Sequence, residues 1–348
     1  MKKVLSILMA LCVLLVSLSG CQSNTGDNSS TTPEGETGTQ KPVAVIEMKI
    51  GGTAAPEHPV SVSGELLCKL INERSGGRIN ARFYSAQQLG DEPAMLENLQ
   101  SGLQEGMLSS SETYGNLVKD FNILGMAFAF DSQEHMFKYF ESDLGQDAFE
   151  RLRKNFGIRI IDMGYKKNPR CLFGKKPIKT PDDLKGLKAR IPNIPIWEKN
   201  FRTMGAIPTI TSYADFPMAL LQGLVDCGEA TYESIYPMKL HQAAPYISLV
   251  DYSYPVECFT VSDKFFSSLD EDLQQIIIDS SKDAAVDHSK RIAESWEIDK
   301  AKIIEDGAQF IDVDRQVWVD KMVPLAAQLE SEGFWDTKGL YEKIQALK

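Results

Sequence analysis

The groups best placed to do chemistry are charged side chains at the ends of segments that read as strands. Asp226 and Glu229 stand three apart just after an apolar Val225. Such a pair could serve as acid and base of a glycosidase, or simply bond backbone amides and solvent. In Leu187–Ile191 the alternation puts Leu187, Ala189 and Ile191 on one face and Lys188 with Arg190 on the other. Two basic side chains on one face make either an anion contact or a solvated edge, and the alternation alone leaves these even. The four histidines, at 58, 135, 241 and 288, are too scattered for an H-E-x-x-H zinc helix or any local ligand pair. His288 lies on an amphipathic helical pattern and reads as structural. No G-x-S-x-G elbow, G-x-x-x-x-G-K-[ST] phosphate loop or G-x-G-x-x-G fingerprint occurs, which removes the readily legible hydrolase, nucleotide and dinucleotide chemistries. No metal, cofactor or catalytic residue is assigned.

The chain that must position these groups has 348 residues, room for two domains. With 43% apolar, 9% aromatic and 24% charged residues it can bury large cores. A net charge of −11 argues against nucleic acid as a partner, since such proteins present a basic footprint.

Its first twenty residues read as an address. Lys2 and Lys3 precede a stretch, Val4 to Leu18, that is apolar apart from two serines, as in an export signal and too short to span a bilayer comfortably. Leu18-Ser19-Gly20-Cys21 follows at once and resembles the bacterial lipobox, which implies an acylated Cys21 as membrane anchor and first mature residue. Residues 22–42, rich in Ser, Thr, Gly, Asn and Pro, then read as a disordered tether with a span of about 25 Å. The folded body is thus expected in an extracytoplasmic space, periplasmic or on the outer face of the cell membrane. Besides Cys12 and Cys21 there are four cysteines, Cys68, Cys171, Cys227 and Cys258, each alone in an apolar stretch. They read as buried thiols rather than zinc ligands, with a single bridge left open.

Along the body, a strand over 43–51, a helix from about Pro59 to Ser75, a strand over Arg78–Ser85, a helix over Asp91–Gly102 and a strand over Leu103–Ser109 form a β-α-β-α-β series. That order implies right-handed crossovers and a largely parallel sheet. After Asn122–Phe130, one helix from about Gln133 to Phe156 and a strand Ile158–Met163 complete a first lobe. Thr180-Pro181-Asp182-Asp183 has a good N-cap, an early Pro and an acid three on, with Gly186 as the stop before the strand Lys188–Ile191. A capped helix is expected over Ser212–Gly223 with Phe216, Ala219, Leu220 and Leu224 inward. From Asp270 to about Asp306 there is no Pro or Gly, and Leu273, Ile276, Ile277, Ala284, Ile292, Trp296, Ala301 and Ile304 recur at helical spacing. A helix of that length, about 55 Å, exceeds one lobe.

Asp183-Leu-Lys-Gly-Leu-Lys-Ala-Arg-Ile-Pro192 resembles the signature of the solute receptors of tripartite ATP-independent periplasmic (TRAP) transporters, the DctP family. Gly76-Gly-Arg-Ile79, Gln88-Leu-Gly90, Glu134-His135 and the run from Ala219-Leu220 through Gly223 to Asp226 agree with that family in order, over residues 45 to 325. The resemblance implies an α/β, two-lobe periplasmic-binding-protein-like fold of type II, with mixed sheets flanked by helices and a long lobe-spanning helix. Lobe I would comprise 43–165 and 256–295, and lobe II 166–255 and 296–348. Function would be capture of a small organic acid, a sugar acid or related carboxylate, for delivery to a membrane permease, without any reaction.

The family's central device is an Arg on the strand after D-L-K-G, which here is Arg190. A guanidinium offers two parallel donors to a carboxylate and stays charged when desolvated. Arg170 falls where many members carry a second basic contact. The family often has Gln-Glu-Asn-Pro after the second-lobe Asp-Gly. Here Glu229 matches but Ala230 replaces the Asn, so one ligand contact is lost or passes to Thr231 or Tyr232. His58, Glu112, Trp197 and Tyr213 lie where lobes would meet, and Tyr252 where some members place a polar ring contact. Two other readings are a surface-anchored carbohydrate-active enzyme using Asp226 and Glu229, and a receptor for an ATP-driven (ABC) importer or a sensor kinase.

Overall fold

A computed structural model describes residues 44–348, which form one compact unit. The expected export signal, Cys21 anchor and tether lie outside the described residues. The chain first lays down β1 (Ile46–Gly51), β2 (Ile79–Tyr84), β3 (Gly106–Ser110) and β4 (Ile158–Lys166). It then builds β5 (Arg170–Gly174), β6 (Lys188–Ile191), β7 (Ile207–Ile210), β8 (Cys227–Thr231) and β9 (Tyr246–Ser248), returns for β10 (Val256–Ser262), and adds β11 (Gln309–Ile311).

These strands make two sheets, ordered β2-β1-β3-β10-β4 and β11-β9-β5-β8-β6-β7. The first three strands pair in parallel, as the alternation of strand and helix requires. Each sheet is mixed because one strand runs against its neighbours: β10 between β3 and β4, and β5 between β8 and β9. Those two strands adjoin the crossings between sheets. The crossings run side by side, with Arg170 N donating to Ser253 O (3.0 Å), Tyr252 N to Arg170 O (3.2 Å) and Lys167 N to Pro255 O (3.3 Å). One antiparallel ribbon thus passes from sheet to sheet.

The helix Glu271–Glu305 is continuous over 35 residues, about 52 Å. Its first half, with Leu273, Ile277, Ala284 and Ala285, joins the core over the first sheet, and Ile303 joins the core over the second. Ile303 is buried while Ile304 is 54% exposed, because the helical phase drifts over so long a pattern. A third core joins residues 95–140 to the helix Pro195–Met204 and the C-terminal helix Arg315–Ser331. The chain end leans on the first sheet's side: His135 Nε2 lies 2.8 Å from Ile344 O, and Gln345 donates to Ala129 O at 2.7 Å.

Several local expectations are corrected. Gln133–Phe156 is two helices, Gln133–Glu141 and Asp143–Phe156, because Ser142 is extended and its hydroxyl caps the second by accepting from Gly145 N. After β3 the chain forms two short 3-10 turns, Ser111–Asn116 and Lys119–Gly125. The capped helix is only Phe216–Leu221: Ser212 spends its hydroxyl on Asp215, and Leu224 points outward at 51% exposure. The strand expected from Leu103 starts at Gly106, with Leu103 66% exposed. Cys68, Cys171, Cys227 and Cys258 are buried free thiols.

Candidate functional site

The D-L-K-G segment acts as a launching device for Arg190. Pro181–Leu184 is a 3-10 turn whose Asp183 carboxylate accepts from Lys179 N (2.9 Å) and Thr180 N (2.8 Å), while Leu184 is fully buried. Gly186 takes φ +78°, open to glycine at little cost, and turns the chain into β6. β6 is an interior strand between β8 and β7, so Arg190 is 4% exposed and not on a solvated edge. Its Nε and Nη2 both donate to Thr211 O (3.1 and 2.9 Å), and its guanidinium lies over the rings of Phe216 (5.0 Å) and Tyr213 (5.5 Å). Burial lowers the guanidinium from its ordinary value, partly offset by Glu229, yet an arginine stays charged.

Gly228, beside Arg190 on the same sheet face, makes this packing possible. A Cβ there would stand 2.3 Å from the Phe216 ring and 3.4 Å from Arg190 Cβ. Ala230 follows on that face, so a side-chain donor is missing next to Arg190.

On the other face of β8, Glu229 is 2% exposed and accepts from Arg170 Nη1 (2.8 Å) and the Tyr252 hydroxyl (2.9 Å). The register that places Leu172 opposite Glu229 puts Arg170 beside it. Arg170 also lies over the Trp197 ring at 4.7 Å, and Trp197 meets Tyr252 edge to face. Burial works against the charge on Arg170, but Glu229 overrides it and holds the guanidinium above its ordinary value. Tyr252 is pinned through Phe128 N, which donates to Tyr252 O at 2.7 Å. Phe128 (φ +61°) and Asp251 (φ +47°) hold left-handed conformations there, a local strain the surroundings must enforce.

Asp226, by contrast, caps a strand: its carboxylate accepts from Lys188 N at 2.9 Å. Asp226 and Glu229 therefore serve different partners on opposite faces, and no acid–base pair forms.

From the first sheet, Lys167 Nζ pairs with Glu257 at 2.8 Å, both nearly buried. Burial opposes both charges, yet each partner sustains the other: Lys167 is raised and Glu257 lowered. Glu92 accepts from Thr113 Oγ1 (2.9 Å), and burial with nearby Glu257 pushes it up to about 7. Glu112 is 6% exposed and raised by burial, with Arg170 opposing. His58 is the N-cap of Pro59–Arg74, its Nδ1 accepting from Val60 N, and burial with Lys167 nearby lowers it to about 4.

Of the expected residues, Arg170, Trp197, Tyr252 and Glu112 come together around Glu229, while Arg190 and Tyr213 form an adjoining group. His58 stands by the Lys167–Glu257 pair. Tyr232 turns away, its hydroxyl donating to Asp251 and its ring stacked on Trp296 at 4.6 Å. Sequence reasoning missed Lys167, Glu257, Glu92, Glu233 and Thr211. Lys167 lies in Lys166-Lys167-Asn168-Pro169-Arg170, which on composition alone reads as a solvated charge run.

The profile of bacterial extracellular solute-binding protein family 7, DctP, matches residues 50–332. A solute-binding protein of Chromohalobacter salexigens is 27% identical over 280 residues, 80% of this chain and 82% of that one. The C4-dicarboxylate-binding protein DctB of Bacillus subtilis is 23% identical over 318 residues, 89% of each. A crystal structure of a TRAP periplasmic solute-binding protein from Chromohalobacter salexigens, with bound D-glucuronate, superposes with a TM-score of 0.80 at 25% identity, covering 86% of this chain and all of that one. Fold and profile agree: the chain belongs to the DctP family of bacterial extracellular solute-binding proteins, and it is a receptor, not an enzyme.

Proposed function

We propose that this receptor captures a sugar acid or related carboxylate and hands it to a TRAP-type membrane permease. The observation that carries the reading is Arg190: a buried guanidinium whose donors meet one backbone carbonyl, with no carboxylate in salt-bridge range among the described residues. A buried charge without a counter-ion costs several kcal/mol, which a ligand carboxylate would offset. Arg170, Trp197, Tyr213 and Tyr252 would complete the carboxylate end, Glu112 and His58 the facing wall, and Tyr232 would act at one remove through Asp251. D-Glucuronate in the Chromohalobacter protein supports the ligand class.

The lobes would be residues 43–165 with 256–295, and 166–255 with 296–348, hinged at the ribbon that carries Arg170 and Tyr252. Ligand held by both lobes would shift an open–closed equilibrium by its differential affinity. Cys21 would carry the lipid anchor, and Cys21→Ser would release the protein from membranes.

Thermal melts of the purified protein against uronates, aldonates, sialic acid, dicarboxylates and oxo acids test the reading. A ligand at about a hundredfold excess over Kd adds about 2.7 kcal/mol, a rise of a few degrees. That rise is expected for at least one acid and is expected to vanish in Arg190→Ala. Co-purification with a TRAP permease, and not with an ATP-driven importer or a sensor kinase, tests the partner.

A further inference from the structure

Glu233 and Glu112 are buried carboxylates that the ion pairs above leave unused. Glu233, 1% exposed, lies on the short helix Tyr232–Ile235 directly after β8, and neither of its oxygens has a hydrogen-bond partner among the described residues. Glu112, on the turn after β3, has an unpartnered Oε1, and its Oε2 has only a 3.5 Å contact from Ser111 Oγ. The two therefore come from different sheets. The cation that bears on Glu233 is Lys167, which is committed to Glu257; Arg170, committed to Glu229, and the same Lys167 bear on Glu112. Unpartnered donors accompany them: Arg170 Nε and Trp197 Nε1.

Buried acceptors without donors cost free energy, and a bound group that supplies hydrogens removes the cost. We propose that Glu112 and Glu233 select the ligand: away from its Arg190-bound carboxylate it must carry hydrogen-bond donors, hydroxyl or amino groups, and not a second carboxylate. A second carboxylate would face two buried acids with every local cation already paired, and repulsion grows as water is excluded. Burial already raises Glu112 above the usual carboxylate range, in keeping with a place that resists further negative charge. The inference rests on the receptor reading and on Arg190 as the carboxylate clamp.

Calorimetric titration of the purified protein with D-glucuronate, D-glucosaminate and succinate tests it. The first offers hydroxyls, the second an ammonium as well, the third only a second carboxylate. At least one donor-bearing acid is expected to bind about a hundredfold tighter than succinate. Glu233→Gln and Glu112→Gln should each cut that ratio about tenfold, because an amide can donate to a carboxylate. The stronger of the two acids identifies hydroxyl or ammonium as the donor source. Should a Gln variant fail to fold, the wild-type ratio still decides. Succinate binding as tightly as both acids, or an unchanged ratio in both folded variants while Arg190→Ala abolishes binding, overturns this inference and leaves the receptor reading standing. If no acid binds, both fall.

Discussion

Arg170 and Arg190 are the same residue type put to different uses. Arg170 is neutralised within the fold by Glu229, whereas Arg190 has its fork on a neutral carbonyl. Arg170→Met should therefore cost about 3 kcal/mol in urea unfolding, because it leaves Glu229 buried without its cation. Adding Glu229→Gln should recover most of that loss, and a double variant no more stable than the single would refute the pairing. Gly228→Ala should destabilise by about 1–3 kcal/mol through the clash with Phe216, and weaken acid binding by tilting the ring under Arg190. An unchanged unfolding midpoint would show that Phe216 moves freely. Arg190 was legible from the D-L-K-G signature and the strand that follows it. The Arg170–Glu229 pair was not, since it needs the register of β5 against β8 across 59 positions of sequence. Glu233 gave no signal, because an isolated acid after a strand reads like any solvated one.

The long helix shows what periodicity can and cannot locate. Absence of Pro and Gly marked its extent to within a residue, yet the inward residue of its last turn was misjudged by one position. Its His288 is fully buried, with Nδ1 2.9 Å from Ser63 Oγ, and burial lowers it from 6.5 to about 4. Between those values the unfolded chain binds a proton that the native state does not. Stability should therefore fall as pH drops through 6.5 towards 4, by about 3 kcal/mol for this group. His58 acts in the same direction. Glu92, raised by burial from 4.5 to about 7, acts oppositely: its contribution is full below 4.5 and lost as pH rises through about 7. Urea midpoints measured from pH 4 to 7 should have a shallower acid slope in His288→Gln and a steeper one in Glu92→Gln. Parallel profiles for all three proteins would contradict these assignments. Ser142 belongs to the same scale: one extended serine splits a helix that composition alone reads as continuous.

At the scale of the molecule, two mixed sheets are joined by one antiparallel ribbon and spanned by one helix, and the buried charges gather where the ribbon crosses. The alternation of strands and helices, and the order of family segments, made that architecture legible. The reversal of β5 and β10 was not, because it follows from two crossings whose partners lie far apart in sequence. If the lobes close on ligand, amide exchange at 167–170 and 252–255 should slow when D-glucuronate is present, and equal exchange with and without it would count against closure. The central claim is that Arg190 is the carboxylate clamp. Calorimetric titration of D-glucuronate into the wild-type protein and Arg190→Lys tests it most directly, since lysine keeps the charge and loses the fork. Saturable binding in the wild type with affinity at least about tenfold weaker in Arg190→Lys is expected. Binding of equal strength in both proteins would contradict it.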